Sequence, residues 1–327
     1  MSDPSASLDR AGSELQGVMR GSVLAQEPLS RHTTIRIGGP AALFAVPAAE
    51  ADVGPAVGFA LARGWPWRVI GLGSNLLCPD GGFPGLVVSL QTACGGLSFE
   101  GSRVRVGAGV HLAPLVQAAA ARGLSGLEGI AGVPGTVGGA LAMNAGTAAG
   151  DMGTAVRSVR ALAPDGRVLE LGAAEMRFAY RRSRLQEEGL IALGAVLELS
   201  PADPAAVRRD LRERAVRRRD TQPLQLPNSG SIWRNPPGDF AGRLIEAAAC
   251  KGRRRGDAQV SPKHANFIVN LGRARAGDVL GLMAEVRGVV AGRFAVRLEP
   301  ELCWLLGRDD LDRLLDQAAP GPLPPRP

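Results

Sequence analysis

The sequence predicts an α+β protein built as two lobes. Short apolar strands alternate with helix-periodic segments from residue 43 onward, and glycine-rich turns follow several of those strands. At Pro204 the composition shifts to an Arg-rich helix. A chain of 327 residues is also long for one hydrophobic core.

Residues 1–22 are small, polar and aperiodic, and a disordered tail is expected there. Ordered structure is expected from His32, with a short strand running into the Gly38-Gly39-Pro40-Ala41 turn. Leu43–Pro47 reads as a strand. Glu50–Gly64 reads as a helix, with Val53, Val57 and Leu61 on one face and Gly64 ending it. Trp67–Leu72 then reads as a buried strand that enters Gly73-Ser74-Asn75-Leu76-Leu77. Leu86–Leu90 and the alternating Ser102–Gly107 are further strands, and His111–Gly123 is a helix. From Leu127 to Gly146 glycine is too frequent for one regular helix, which suggests backbone lying directly on another group. Val156–Ala163 and Val168–Leu171 pair as a hairpin around Pro164-Asp165-Gly166, and Ile191–Leu199 is one more strand.

The second lobe is expected to open with the basic helix Pro204–Asp220. Helices at Phe240–Cys250 and Asp278–Gly292 and strands at Ala265–Leu271 and Val296–Leu306 follow. The expected domains are 23–203, with two subdomains split near 95, and 204–310. A tail over 311–327 is Pro-rich from Ala318.

The charge of +7 comes almost wholly from Arg, because Lys occurs only at Lys251 and Lys263. The basic stretches Arg208–Arg219 and Arg253–Arg255 lack the interleaved aromatics that stack nucleic-acid bases, which disfavours a nucleic-acid partner. A polyanionic small molecule fits the charge equally well. The four cysteines are scattered with no C-x-x-C pair, and the three histidines stand alone, so neither a disulfide framework nor a metal site is expected. No apolar run approaches a membrane span, and a soluble cytoplasmic protein is expected.

Nucleotide signatures of the P-loop and G-x-G-x-x-G types are missing. In their place stand shorter glycine turns at Gly38-Gly39, Gly71–Asn75 and Gly132–Gly139. Consecutive backbone N–H groups in such turns can cradle a diphosphate, although tight strand–helix packing also explains individual glycines. Proton chemistry, with so few histidines, falls to Ser, Glu, Tyr and Arg. Tyr180-Arg181 offers an aromatic ring beside a fixed cationic fork for a carboxylate. In Leu298-Glu299-Pro300-Glu301-Leu302, alternation places both carboxylates on one face among apolar neighbours. Leu226-Pro227-Asn228-Ser229-Gly230-Ser231-Ile232-Trp233-Arg234-Asn235-Pro236 is a proline-bracketed polar stretch, excluded from helices and central strands. Nothing physical in that stretch selects Ser231 over Ser229. His264, before a strand, is balanced between packing and lining a pocket.

These motifs, in chain order, resemble the UDP-N-acetylenolpyruvoylglucosamine reductases of bacterial peptidoglycan synthesis. The resemblance runs over about residues 30–307: Thr34 with Gly38–Ala41, Gly73–Leu77, Gly132–Ala140, Asn144-Ala145-Gly146, Tyr180-Arg181 with Ser183, Gly230-Ser231 with Trp233, His264–Phe267 and Leu298–Glu301. It looks like the shorter subtype of that family. The family fold implies an FAD-binding lobe of two α/β subdomains, of the vanillyl-alcohol-oxidase-like type, and a C-terminal α/β substrate lobe. By resemblance, Gly38, Gly39, Gly71, Gly73, Ser74, Asn75 and Leu76 contact FAD. Gly132, Gly135, Thr136, Gly138, Asn144, Ala145 and Gly146 would lie along it. NADPH is the implied reductant, and the enolpyruvyl ether of UDP-N-acetylglucosamine the implied substrate. Ser231 matches the family's proton donor, Arg181 its carboxylate-orienting arginine and Glu301 its essential glutamate. Tyr180, Arg234, Asn235 and His264 are implied in substrate binding. Trp233 and Arg234 stand where an aromatic and a lysine are usual, and Gly71-Leu72-Gly73 replaces the commoner triple glycine. A monomer is expected. The competing expectations are another flavoprotein of this cofactor fold, such as an oxidase, and, remotely, a nucleic-acid-binding protein.

Overall fold

The computed structural model describes residues 4–318 and resolves into two compact units. The first comprises residues up to Glu27, Ala42–Leu72 and Pro84–Arg218; the second comprises Pro28–Ala41, Gly73–Phe83 and the chain from Arg219. The units are therefore threaded, whereas the sequence suggested consecutive domains. The basic helix, Pro204–Thr221, lies up to Arg218 in the first unit instead of opening the second.

The first unit holds two main sheets. A four-stranded sheet has the order Gly21–Pro28, Pro40–Pro47, Phe83–Ser89, Trp67–Ile70, and its last pair is parallel. A five-stranded antiparallel sheet has the order Val168–Gly172, Val156–Leu162, Ile191–Glu198, Arg103–Gly107, Leu97–Glu100. The hairpin at Pro164–Gly166 forms as its turn residues require, with Gly166 at φ +85 and the Arg167 N–H donating to Asp165 Oδ1 at 3.0 Å. Within the glycine-rich run, only Val137–Met143 is helical; Thr136 caps it by accepting the Gly139 N–H. The helix Val53–Ala62 buries Val53, Ala56, Val57 and Ala60, but Leu61 is exposed. Two steps of four residues drift off a 3.6-residue face, and Ala60 takes the inward place.

Residues 4–22 do not form the disordered tail that their composition suggests. Pro4–Val18 is a helix and Gly21–Pro28 a strand. Ala11, Leu15 and Met19 recur at four-residue intervals and are buried in the core of the first unit. Small polar residues between them mask that stripe in the sequence.

The second unit packs the helices Ala241–Ala247, Ala276–Phe294 and Arg308–Gln317 with a sheet of order Asn228–Ser231, Phe267–Asn270, Ala258–Val260, Arg254–Arg255. Asp80 accepts the N–H groups of Ala276 at 2.8 Å and Gly277 at 3.1 Å, placing a carboxylate on the N-terminus of the long helix. Arg287, 1% exposed, donates to Asp312 at 3.1 Å and Asp316 at 3.0 Å and fastens the last helix to the long one. Residues 311–317, expected as part of a tail, belong to that last helix, with Leu311 and Leu315 buried; 319–327 lie outside the described residues. The expected strand Val296–Leu306 reduces to Cys303–Trp304, which pairs in parallel with Leu76–Leu77. No described helix is long and apolar enough to cross a membrane.

Leu15→Ala is expected to lower stability by about 2–5 kcal/mol, the cost of a buried Leu-to-Ala cavity, as read by chemical denaturation. A disordered N-terminus would leave the denaturation midpoint where it is.

Candidate active site

In the second unit the polar stretch becomes an edge strand. Asn228 stands opposite Val269 and Ser231 opposite Phe267, so the stretch carries a bulge. Gly230 takes φ +73 within it and has open space beside its Cα, so its backbone freedom, not close packing, calls for glycine. Asn228 closes the bulge, with Oδ1 accepting the Gly230 N–H at 3.0 Å and Nδ2 donating to the Leu226 carbonyl at 2.8 Å. Ser229 is 1% exposed, and its Oγ has no hydrogen-bond partner among the described residues. Ser231 is half-buried. Burial thus separates two serines that the sequence left equivalent.

Buried Asn266 holds the following residue from both sides. Its Oδ1 accepts the Trp233 N–H at 2.9 Å and its Nδ2 donates to the Trp233 carbonyl at 2.8 Å. The Ile232 N–H donates to the Asn266 carbonyl at 2.9 Å. The Ile232 carbonyl, immediately after Ser231, accepts the Glu301 N–H at 2.8 Å, and the Arg234 N–H donates to the Glu299 carbonyl at 2.9 Å. From Leu298 to Trp304, buried and half-buried residues alternate, which sets Glu299, Glu301 and Cys303 on one side. Asn75 completes the frame: its Nδ2 donates to the Glu301 carbonyl at 3.0 Å, and its own carbonyl accepts the Cys303 N–H at 3.0 Å. Asn75, expected only as a cofactor contact, therefore also positions Glu301. Leu76 begins the two-residue strand beside Cys303.

The structure divides the implied substrate residues. Burial, and then the neighbouring Arg308, pushes the Arg234 guanidinium below its ordinary value, so Arg234 sits among the charges around Glu299 and Glu301. Arg308 in turn reaches Glu299 at 3.3 Å. Asn235 Oδ1 accepts the Ala241 N–H at 3.1 Å, giving Asn235 a loop-closing task. His264 packs edge-on against Phe267 with 4.8 Å between ring centroids, accepts the Asn266 N–H at Nδ1, and is pushed down in pKa by burial. Packing is its observed role. Trp233 is buried in the core of this unit.

Arg181 belongs to the first unit. Ala179 and Arg182 exchange backbone hydrogen bonds at 3.2 and 3.1 Å, so Tyr180 and Arg181 form the tip of a tight turn. Arg181 takes φ +56 there, a strained value for a non-glycine residue. Its Nη2 donates to the Gly146 carbonyl at 2.9 Å, and its guanidinium carbon lies 5.0 Å from the Tyr180 ring centroid. Tyr180 is 50% exposed. Asn144, itself at φ +41, anchors this turn by donating to the Ala179 carbonyl at 3.1 Å while accepting the Gly153 N–H at 2.8 Å. Ala145 donates to the Ala140 carbonyl and accepts from Met152, and Gly146 lies against Gly150 so closely that a Cβ would stand 2.3 Å from its carbonyl oxygen. Asn144–Gly146 thus serve packing as well as any ligand.

Other expected cofactor glycines have similar packing reasons. Gly38 faces the Cys78 and Leu29 side chains, Gly39 the Asp80 backbone, Gly73 the His32 carbonyl and Gly138 the Ala108 side chain. Gly135 accepts the Leu112 N–H. In the first unit, a Cβ on Gly71 would lie 2.2 Å from Thr136 Oγ1, so the turn after Trp67–Ile70 and the start of the Val137–Met143 helix touch. Gln91 links these parts, donating to the Gly71 carbonyl at 3.3 Å and bonding His111 Nε2 at 2.8 Å. Neither residue was singled out for this in the sequence, because the link runs through side chains far apart in the chain.

One feature of the turn has no packing explanation. The parallel ladder ends where Leu90 donates to the Ile70 carbonyl, and the N–H groups of Gly71 and Leu72 donate to no acceptor among the described residues. The same holds for Gly73 and Asn75 in the second unit, whose turn also contains half-buried Ser74. Within the first unit, the adjacent N–H groups of Gly71 and Leu72 suit an anion such as a diphosphate.

The fold and these amide-bearing turns define a flavin-binding oxidoreductase: the family model described as FAD binding domain matches residues 41–172. The model described as UDP-N-acetylenolpyruvoylglucosamine reductase, C-terminal domain, matches residues 222–305. UDP-N-acetylenolpyruvoylglucosamine reductase 2 of Symbiobacterium thermophilum is 48% identical over 88% of this chain and 94% of its own length. The Moorella thermoacetica reductase is 46% identical over 88% and 95%. The crystal structure of UDP-N-acetylenolpyruvylglucosamine reductase from Thermus caldophilus superposes with a TM-score of 0.73 at 38% identity, covering 88% of this chain and 99% of that one. The chain belongs to the UDP-N-acetylenolpyruvoylglucosamine reductase family.

Asn266→Ala would orphan a buried donor and a buried acceptor of Trp233, at about 1–3 kcal/mol each. Thermal denaturation should show a clear loss of stability in the second unit, with FAD uptake retained. An unchanged melting curve would remove Asn266 from its positioning role.

Proposed function

We propose that this chain reduces the enolpyruvyl ether of UDP-N-acetylglucosamine to UDP-N-acetylmuramate, as a monomeric cytoplasmic enzyme using NADPH as reductant. The observation that carries the reading is the Ser231–Ile232 strand end tied through the Ile232 carbonyl to Glu301, with a half-buried hydroxyl and a half-buried carboxylate on adjoining segments. FAD, when bound, would supply the hydride chemistry that links NADPH to the vinyl C3 of the substrate.

The protein groups answer the charge that this delivery creates. As C3 gains hydride, negative charge spreads over C2 and the adjoining carboxylate. Arg181 is assigned to that carboxylate, because its planar fork is a permanent cation that matches two oxygens. The Gly146 carbonyl and the Tyr180 ring restrict its orientation in advance. Ser231 is assigned the proton transfer to C2. A serine is a weak acid in water, but beside a developing enolate and out of bulk solvent it can give up its proton and recover one afterwards. The half-burial of Ser231, against the full burial of Ser229, supports this choice. Glu301 is assigned to polarising the enol, held in place by Asn75 and Ile232. Arg234 is assigned to the nucleotide end; its depressed guanidinium reflects a half-buried position that an anionic ligand would relieve.

Anaerobic titration tests the two halves separately. Wild type should bleach its flavin with NADPH and regain colour on addition of the UDP-sugar. Ser231→Ala should keep the first step and slow the second by about 10²–10⁴-fold, the usual contribution of general-acid catalysis. Equal slowing of both steps would reject Ser231 as the donor, and a protein that takes up no FAD would reject the whole reading.

A further inference from the structure

In the second unit, Ser231 and Glu301 lie on a closed circuit of hydrogen bonds and peptide links. The Ile232 carbonyl accepts the Glu301 N–H at 2.8 Å, and the Glu301 carbonyl accepts Asn75 Nδ2 at 3.0 Å. The chain then runs back from Asn75 to Gly73, whose carbonyl accepts the Thr34 N–H at 3.3 Å. Thr34 Oγ1 donates to the Asn228 carbonyl at 2.7 Å, and the strand Asn228–Ser231 returns to the start. Thr34 therefore holds the Gly73–Asn75 turn with its backbone and the strand of Ser231 with its hydroxyl.

The surroundings of Thr34 make it a firm support. Thr33 Oγ1 accepts the Ile37 N–H at 3.3 Å and donates to the Ile37 carbonyl at 3.1 Å, which folds residues 33–37 into a loop. Ile35 and Ile37 are buried in the core of this unit. Buried Asn270 donates from Nδ2 to the Ile35 carbonyl at 3.0 Å and from its N–H to the Pro227 carbonyl at 2.9 Å, so the loop and the residue before Asn228 share one anchor. A Cβ on Gly73 would stand 2.1 Å from the His32 carbonyl oxygen, so loop and turn are in direct contact. The hydroxyl of Thr33 is spent within its own loop, whereas that of Thr34 reaches across 194 residues of sequence. Its β-branch also restricts the rotamers from which it can donate.

Ser231 has a tie on each side only if Thr34 supplies one. After Ser231 the strand is held by Asn266, through Ile232 and Trp233. Before it, the bulge at Gly230 interrupts the register with Phe267–Asn270. There Asn228 Oδ1 accepts the Gly230 N–H at 3.0 Å, so the setting of Asn228 carries on to Gly230, and the Thr34 hydroxyl fixes the Asn228 carbonyl. We propose that Thr34 is a positioning residue for the proton transfer: its hydroxyl closes the circuit that sets Ser231 against Glu301. It acts through Asn228, and the role rests on Ser231 being the proton donor.

The test uses the full chain with FAD and follows each half-reaction by anaerobic stopped flow. Thr34→Val keeps the side-chain shape and the backbone bond to Gly73 and removes only the hydroxyl; Thr34→Ser restores it. Thr34→Val should be reduced by NADPH at the wild-type rate, while its reoxidation by the UDP-sugar slows by about 10- to 100-fold, as befits a reacting group misplaced by ~1 Å. The solvent deuterium isotope effect on reoxidation should rise as proton transfer comes to limit that step, and Thr34→Ser should recover most of the rate. A purely structural contribution would lower the melting temperature and leave the isotope effect as it is. Thr34→Val with the wild-type reoxidation rate and isotope effect, or Thr34→Ser as slow as Thr34→Val, overturns the assignment and leaves the enzyme reading intact. Ser231→Ala that reoxidises like wild type overturns the donor and this role with it. Wild-type protein whose reduced flavin the UDP-sugar does not reoxidise overturns the enzyme reading as well. Should Thr34→Val fail to fold, Thr34→Ala is compared with Thr34→Ser by the same two measurements.

Discussion

The arrangement of the second unit depends on the pairing of Asn266 with the backbone of Trp233. A single carboxamide satisfies both the N–H and the carbonyl of a residue whose indole is buried in the core. In doing so it extends the Phe267–Asn270 strand by a side chain, past the point where the bulge at Gly230 has broken the ladder. Everything next to it inherits the position: Ile232 bonds the Asn266 backbone, Glu301 bonds Ile232, and Asn75 bonds Glu301. Ser231 stands at the junction, close to a bulge and so free of a full ladder, yet fixed on its C-terminal side. A rigid frame around a locally irregular residue suits the proton-donor role proposed for Ser231, since small displacements of a reacting group are expensive in rate.

The first unit solves the equivalent problem for Arg181 by strain. A non-glycine residue at φ +56 persists only where its surroundings over-determine it. Here the reciprocal bonds of Ala179 and Arg182, the clasp of Asn144 on Ala179 and the Gly146 carbonyl on the guanidinium do so. Asn144 is itself left-handed, and asparagine tolerates that conformation better than most residues. The Asn144-Ala145-Gly146 motif accordingly has a structural task of its own, apart from the cofactor contact that the resemblance implies. It transmits the geometry of the glycine-rich segment to the arginine turn.

Strands and helices with strong periodicity were legible in the sequence: Ile191–Glu198, the hairpin at Pro164–Gly166 and the long helix to Phe294 all lie where apolar spacing and turn residues place them. The N-terminal helix was not, because Ala11, Leu15 and Met19 form a thin stripe whose value depends on the surface it meets. The final strand was over-read for a related reason. Leu298–Trp304 does alternate, but alternation reports which side is buried and says nothing of whether a neighbour supplies hydrogen bonds. The residues proposed for the chemistry, Ser231, Glu301 and Arg181, come from the order of the motifs that carry the family resemblance. The supports Asn266, Gln91 and His111 were opaque, since each works across 20 or more residues of sequence through a side chain that also suits an ordinary surface.

Glycine and arginine, both abundant in this chain, need the same kind of accounting. Gly71 and Gly73 are required by the protein itself, since a Cβ would strike Thr136 or the His32 carbonyl, and their abundance alone is no argument for a cofactor. What remains after packing is satisfied are the N–H groups of Gly71 and Leu72, which donate to no acceptor among the described residues. Arginine divides in the same way. Arg287 is more deeply buried than Arg218, but two aspartates meet it, and its charge is explained by the helix it fastens. Arg218 has the desolvation without the partner. A basic composition is therefore neither a nucleic-acid signal nor noise. Where protein carboxylates answer the charges, as at Arg287, those charges belong to the fold.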